Sequence, residues 1–137
     1  MTWIAFDQAY VLGAMPTDVR VAYDAWVTGN PGKSDRLDEI TGQVLADFRS
    51  GLSSNPNQVM EVDETLLPLR CGPHALTIVL YYLMLEMGLA VNMSAQTAFS
   101  NAEVYLRRLY ISDARVDGVA VSITPSYVSR VDRVAGM

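Results

Sequence analysis

The chain has 137 residues, half of them hydrophobic and 18% charged, which is enough apolar material for one packed domain and excludes a wholly disordered chain. Acids outnumber bases 15 to 10, for a net charge of −5, which argues against a general nucleic-acid coat because phosphate binding needs clustered Lys and Arg. One cysteine, Cys71, excludes an intrachain disulfide framework, and one histidine, His74, leaves little material for a histidine-based metal site.

Residues 1–15 are apolar and aromatic, with Trp3, Ile4, Phe6, Tyr10, Val11, Leu12 and Met15; a short helix and a docked arm both fit. No basic region precedes Arg20, so no secretory signal is expected. Pro16 stands where a first helical residue would, and Val19, Ala22, Tyr23 and Trp26 recur at helical spacing, predicting an amphipathic helix over 16–27. Gly29-Asn30-Pro31-Gly32 then makes a turn. Ser34 reads as the N-cap of the next helix, with Asp35, Asp38 and Glu39 at the positive end of its dipole. Leu37, Ile40, Val44, Leu45, Phe48 and Leu52 form its buried stripe, Gly51 its C-cap, and Arg36, Gln43, Asp47 and Arg49 its wet face.

Residues 53–58 are a loop by composition, and Val59 to Val62 fit a short extended piece. Asp63-Glu64 fit the cap of a helical turn through Leu69. Pro73 suits the first turn of an apolar helix over 73–88, ended by Gly88. Its run of Leu76, Ile78, Val79, Leu80, Tyr81, Tyr82, Leu83, Met84 and Leu85 is apolar on nearly every face, which predicts burial on every face. Burial by the fold alone and burial by a neighbouring subunit both remain open. Glu86 interrupts the run and no Lys/Arg cluster flanks it, so a buried central helix is favoured over a membrane span. Ser94 is expected to cap a last helix with the stripe Phe99, Ala102, Tyr105, Leu106 and Leu109, assisted by a Glu103–Arg107 pair.

After Ile111 the pattern changes. Asp117-Gly118 marks a turn, and Val119, Val121 and Ile123 alternate with Ala120, Ser122 and Thr124 as a strand that Pro125 stops. A lone strand is not stable, so it is expected to pair with residues 59–62 or with another chain. The chain thus divides into a helical domain, 1–118, and a strand with C-terminal tail, 119–137. The fold class expected is mainly α: a small bundle around the apolar helix at 73–88, with a short β element and an extended tail.

Chemistry-bearing patterns are sparse. Cys71-Gly72-Pro73-His74 invites a thiolate–imidazole reading, but no Asn or Asp nearby orients the imidazole, and burial disfavours both charged forms. A buried thiol and a helix-capping imidazole is the simpler reading. One Cys and one His are too few for a structural zinc site, a carboxylate site of Asp63, Glu64 and His74 is a disfavoured alternative, and Asp35, Asp38 and Glu39 are read as first-turn acids in preference to an acid/base pair. Gly29 to Ser34 lack the spacing of a phosphate loop. No catalytic, cofactor or metal residue is therefore assigned. Arg107, Arg108, Arg115, Arg130 and Arg133 gather with Tyr105, Tyr110 and Tyr127 near the C-terminus, a set that fits protein contact better than nucleic acid. Residues 1–69 carry ten acids and four bases, and 70–137 five acids and six bases. Such halves suit a head-to-tail ring, though uneven surface charge alone explains them as well.

The order of features then becomes informative. A helix bearing Leu37-Asp38-Glu39-Ile40 and Asp47-Phe48-Arg49 is followed by a polar loop, by Leu66-Leu67-Pro68-Leu69-Arg70 leading into an apolar helix, and by Ala102-Glu103-Val104-Tyr105-Leu106-Arg107-Arg108-Leu109. Over residues 34–111 this resembles the head–tail connector (adaptor, or head-completion) proteins of tailed bacteriophages, of the HK97-type and Mu-like kind. The resemblance implies a non-enzymatic homo-oligomeric ring, typically of twelve copies, assembled in the host cytoplasm and placed in the virion neck. It would contact the portal protein above and a tail or neck protein below. Double-stranded DNA would pass through without sequence-specific binding, and no membrane or cofactor is implied. The segments matching the family's contact regions supply the candidate interface: Val59 and Val62 in the loop, and Val119, Val121, Ile123, Tyr127, Val128, Arg130, Val131 and Arg133 in the tail. The alternative is a small helical interaction or regulatory module that dimerises through the apolar helix. Removing residues 125–137 is expected to leave the circular dichroism of the helices unchanged and to abolish assembly in a sedimentation experiment; equal assembly without them contradicts the reading.

Overall fold

The computed structural model describes residues 2–111. Five α-helices and a two-stranded antiparallel sheet make up this part of the chain, in agreement with the mainly α class expected. The predicted strand at 119–123 and the tail to 137 lie outside the described residues.

The aromatic N-terminus is both an arm and a helix. Trp3–Ala5 form strand β1, and Gln8–Ala14 form helix α1, whose N-cap Asp7 accepts from the Tyr10 amide at 2.9 Å. Phe6 and Val11 are fully buried, so this segment belongs to the core. Helix α2 runs Thr17–Gly29, with Pro16 one position outside it.

Helix α3, Arg36–Ser53, starts later and ends later than its sequence suggests. Pro31–Lys33 form a 3-10 turn that absorbs Ser34 as its last residue, so Asp35, without a side-chain cap bond, opens α3. Leu37, Ile40, Val44, Phe48 and Leu52 are buried as expected, while Leu45 is half-buried. Gly51 is not a C-cap. It lies inside the helix, where a Cβ would come within 2.9 Å of Leu109 Cβ and 3.3 Å of the Tyr110 ring. The missing side chain is what allows the last helix to approach.

No strand forms at 59–62. The second strand, β2, is Leu66–Pro68, and it pairs with β1 in the register Trp3↔Pro68, Ile4↔Leu67 and Ala5↔Leu66. The partner lies some sixty residues away in sequence, beyond the reach of local pattern. Asp63 caps a turn into β2 instead of a helix, its carboxylate accepting from the Thr65 amide and hydroxyl.

A 3-10 turn at Leu69–Cys71 leads into α4, Gly72–Glu86. Gly88 ends it as predicted: at φ +76° it donates to Leu85 O, and Leu89 donates to Met84 O, which is a Schellman closure. Ala75, Ile78, Val79 and Leu83 are buried, but Tyr82 and Leu85 stay 42% and 51% exposed. Among the described residues, the helix is therefore not buried on every face.

Helix α5, Met93–Ile111, is capped by Asn92, whose side chain accepts from the Ala95 amide, and not by Ser94. Ala102 and Leu109 are buried, and Phe99, Tyr105 and Leu106 half-buried. Tyr81 stacks on Phe99 at 3.9 Å, tying α4 to α5. Among the described residues Glu103 and Arg107 form no ion pair; the pairs are Arg20–Asp24, Arg36–Glu39 and Arg36–Glu86. No described helix is long and apolar enough to cross a membrane.

Gly51→Ala is expected to lower the melting temperature, because overpacking a close helix crossing costs about 1–3 kcal/mol, more than the roughly 1 kcal/mol gained in helix propensity. Gly42→Ala in the same helix, with open space around it, is expected to raise it. Equal stabilisation by both substitutions would show that α5 does not need the close approach.

Candidate functional site

The loop between α3 and β2 presents the two candidate interface residues that the structure describes. Val59 is 79% exposed and Val62 95%. The loop bearing them is anchored at both ends. Asn55 is buried, and its side chain accepts from the Asn57 amide. Further along, Arg49 reaches out of α3 and donates to Leu66 O at 2.6 Å and Glu61 O at 2.7 Å, with its guanidinium 5.6 Å above the Trp3 ring. Arg49 is thus half-buried and structural, not part of a wet face.

A second surface was not legible in the sequence. Helices α3 and α4 flank an open groove of about 780 Å³ whose walls include Ile40, Val44, Tyr82 and Leu85. One end is fixed by Arg36, whose Nε donates to both Glu86 oxygens at 2.6 and 2.9 Å and whose Nη1 donates to Glu39 at 3.1 Å. These bonds hold the Glu86 carboxyl below the usual carboxylate range. The hint available in the sequence was the all-round apolar character of α4, which the described residues do not fully cover. Of the arginine–tyrosine set, Arg107, Arg108 and Tyr110 are exposed on α5, and Tyr110 Oη donates to Asp47 O at 2.9 Å. Val119, Val121, Ile123, Tyr127, Val128, Arg130, Val131 and Arg133 lie outside the described residues.

Cys71 and His74 both meet Tyr105. The buried Cys71 Sγ lies 3.7 Å from Tyr105 Oη, and the His74 ring stacks on the Tyr105 ring at 4.0 Å. Burial pushes the thiol up, and burial, with the adjacent Cys71, pushes the Tyr105 hydroxyl up to about 12. Arg70 partly offsets both effects. The shift of Cys71 opposes the thiolate, the form a nucleophile needs. Among the described residues no group of three or more His, Cys, Asp or Glu is placed to hold a metal ion.

Comparison of the chain with protein-family models, with curated proteins and with solved structures gives no match.

Desolvation holds His74 below its ordinary 6.5. The unfolded chain therefore binds a proton that the folded chain resists, so this contribution to stability is complete above pH 6.5 and is lost as pH falls through the interval just below it. His74→Phe keeps a ring on Tyr105 and removes the titration. It is expected to flatten the melting temperature against pH in that interval; an unchanged slope would mean that the ring is hydrated in the folded state.

Proposed function

We propose that this chain is a structural component of the tailed-phage neck, a head–tail connector ring beneath the portal that extends the DNA channel and joins head to tail. The observation that carries the reading is the loop held by Arg49, which leaves Val59 and Val62 almost wholly exposed at the position where the connector resemblance puts a contact segment. The order of elements fits as well: α3, the polar loop, the Leu66–Arg70 lead-in, then α4 and α5. Its partners on this reading are further copies of itself, the portal protein and a tail or neck protein. Excess negative charge suits a channel wall that must release DNA, since a basic wall would retain it.

The second reading, a dimeric interaction or regulatory module, is favoured by a different observation: Tyr82 and Leu85 of α4 remain exposed beside the α3/α4 groove. The mass of the assembled protein separates the two. The connector reading expects a multi-copy ring in sedimentation and, on affinity purification from the native source, recovery of a portal or tail protein in multi-copy stoichiometry. A discrete dimer that brings down neither supports the module and contradicts the connector.

A further inference from the structure

The two edges of the small sheet are unequal. In the register of β1 and β2, Ile4 faces Leu67 across the ladder, and the flanking bonds run from Phe6 N to Thr65 O and from Leu69 N to Thr2 O. Residues 2, 4 and 6 therefore point their backbone groups into the sheet, and Trp3 and Ala5 point theirs away from it. The outer edge of β2 is closed. Pro68 has no N–H, Leu66 N donates to Asp63 O, and Leu66 O accepts from Arg49. The outer edge of β1 is open: the backbone groups of Trp3 and Ala5 make no hydrogen bond among the described residues, and Ala5 is exposed. An edge of this kind is a template for one more strand.

The sequence predicts a strand at 119–123 that would need a template. Val119-Ala120-Val121-Ser122-Ile123 alternates apolar and small residues and is bounded by Asp117-Gly118 and Pro125. The one segment that might have received it, 59–62, is not a strand. We infer that the outer edge of β1 is the docking site for residues 119–123 of a second copy of this chain. The inference rests on the self-association half of the proposed function.

Two observations favour a second copy over the same chain. The last turns of α5 pack on α3 at Gly51, through Leu109, whereas β1 meets α3 at Arg49, under Trp3. Positions two apart on a helix face about 200° away from each other. Within one chain, the seven residues 112–118, which span at most about 25 Å, would have to join these two sides of α3. The charge also favours copies meeting head to tail, because the receiving strand lies in the half with ten acids and four bases and the donated strand in the half with five acids and six bases. A contact given at one end and received at the other is heterologous, and it closes into a ring when the rotation allows.

Adjacent strands bring Cα atoms to about 4.5–5.5 Å, within disulfide reach. Ala5→Cys is combined, in five full-length variants, with Cys at 119, 120, 121, 122 or 123; the native Cys71 is buried and does not compete. Mild oxidation followed by a non-reducing gel is expected to give bonds between copies in at least one variant, seen as a ladder above the monomer band. Val121→Pro, which removes a ladder donor, is expected to raise the concentration needed for assembly at least about tenfold with the helical circular dichroism unchanged. Bonds confined to single chains would overturn the second-copy assignment. Oligomers that form no bond at any of the five positions would overturn the inference and leave the connector reading standing. A monomer with no bond would overturn both.

Discussion

The arrangement depends on one side chain leaving its expected place. Arg49 sits on α3 where helical periodicity puts a solvated residue, yet it spans three elements: the Trp3 ring of β1, Leu66 O of β2 and Glu61 O of the loop. A guanidinium can do this because its planar fork offers several donors in fixed directions while its face lies on an aromatic ring. A bond from a charged donor to a backbone carbonyl contributes roughly 1.5–3 kcal/mol. Two such bonds on short strands and a loop are large beside what three ladder residues supply by themselves. The same contacts close one edge of the sheet and hold the loop so that Val59 and Val62 face outward.

That the helices were legible and the sheet was not follows from how each is stabilised. The stripe Leu37, Ile40, Val44, Phe48 and Leu52 is a local pattern, and it is buried as the pattern predicts. Gly88 needs a positive φ to end α4, and that too is local. The pairing of Trp3–Ala5 with Leu66–Pro68 is not local, and strands of three residues are too short to show alternation. Caps moved for competing local reasons: Pro31 drew Ser34 into a 3-10 turn, and Asn92 reached the Ala95 amide ahead of Ser94. Gly51 looks like a terminator from composition alone, but its role is set by Leu109 on another helix.

Val59 and Val62 were named through the connector resemblance alone; the structure places them in an exposed loop, not in the short extended piece their sequence suggested. The groove beside Tyr82 and Leu85 was hidden because an all-apolar helix does not reveal which of its faces the other described elements cover. Cys71 and His74 invited a catalytic pairing by proximity in sequence, yet the turn into α4 sends both onto Tyr105. What remains among the described residues is apolar surface at Val59, Val62, Tyr82 and Leu85.

The central claim, that Arg49 holds the sheet and loop in place, is tested most directly by hydrogen exchange at the Phe6 and Leu69 amides, which bridge the two strands. Arg49→Met keeps the aliphatic stem and removes the donors. The account predicts that exchange at these two amides accelerates at least about tenfold while amides in the middle of α3 and α4 change little. Unaltered exchange at Phe6 and Leu69 in a folded Arg49→Met protein would contradict it.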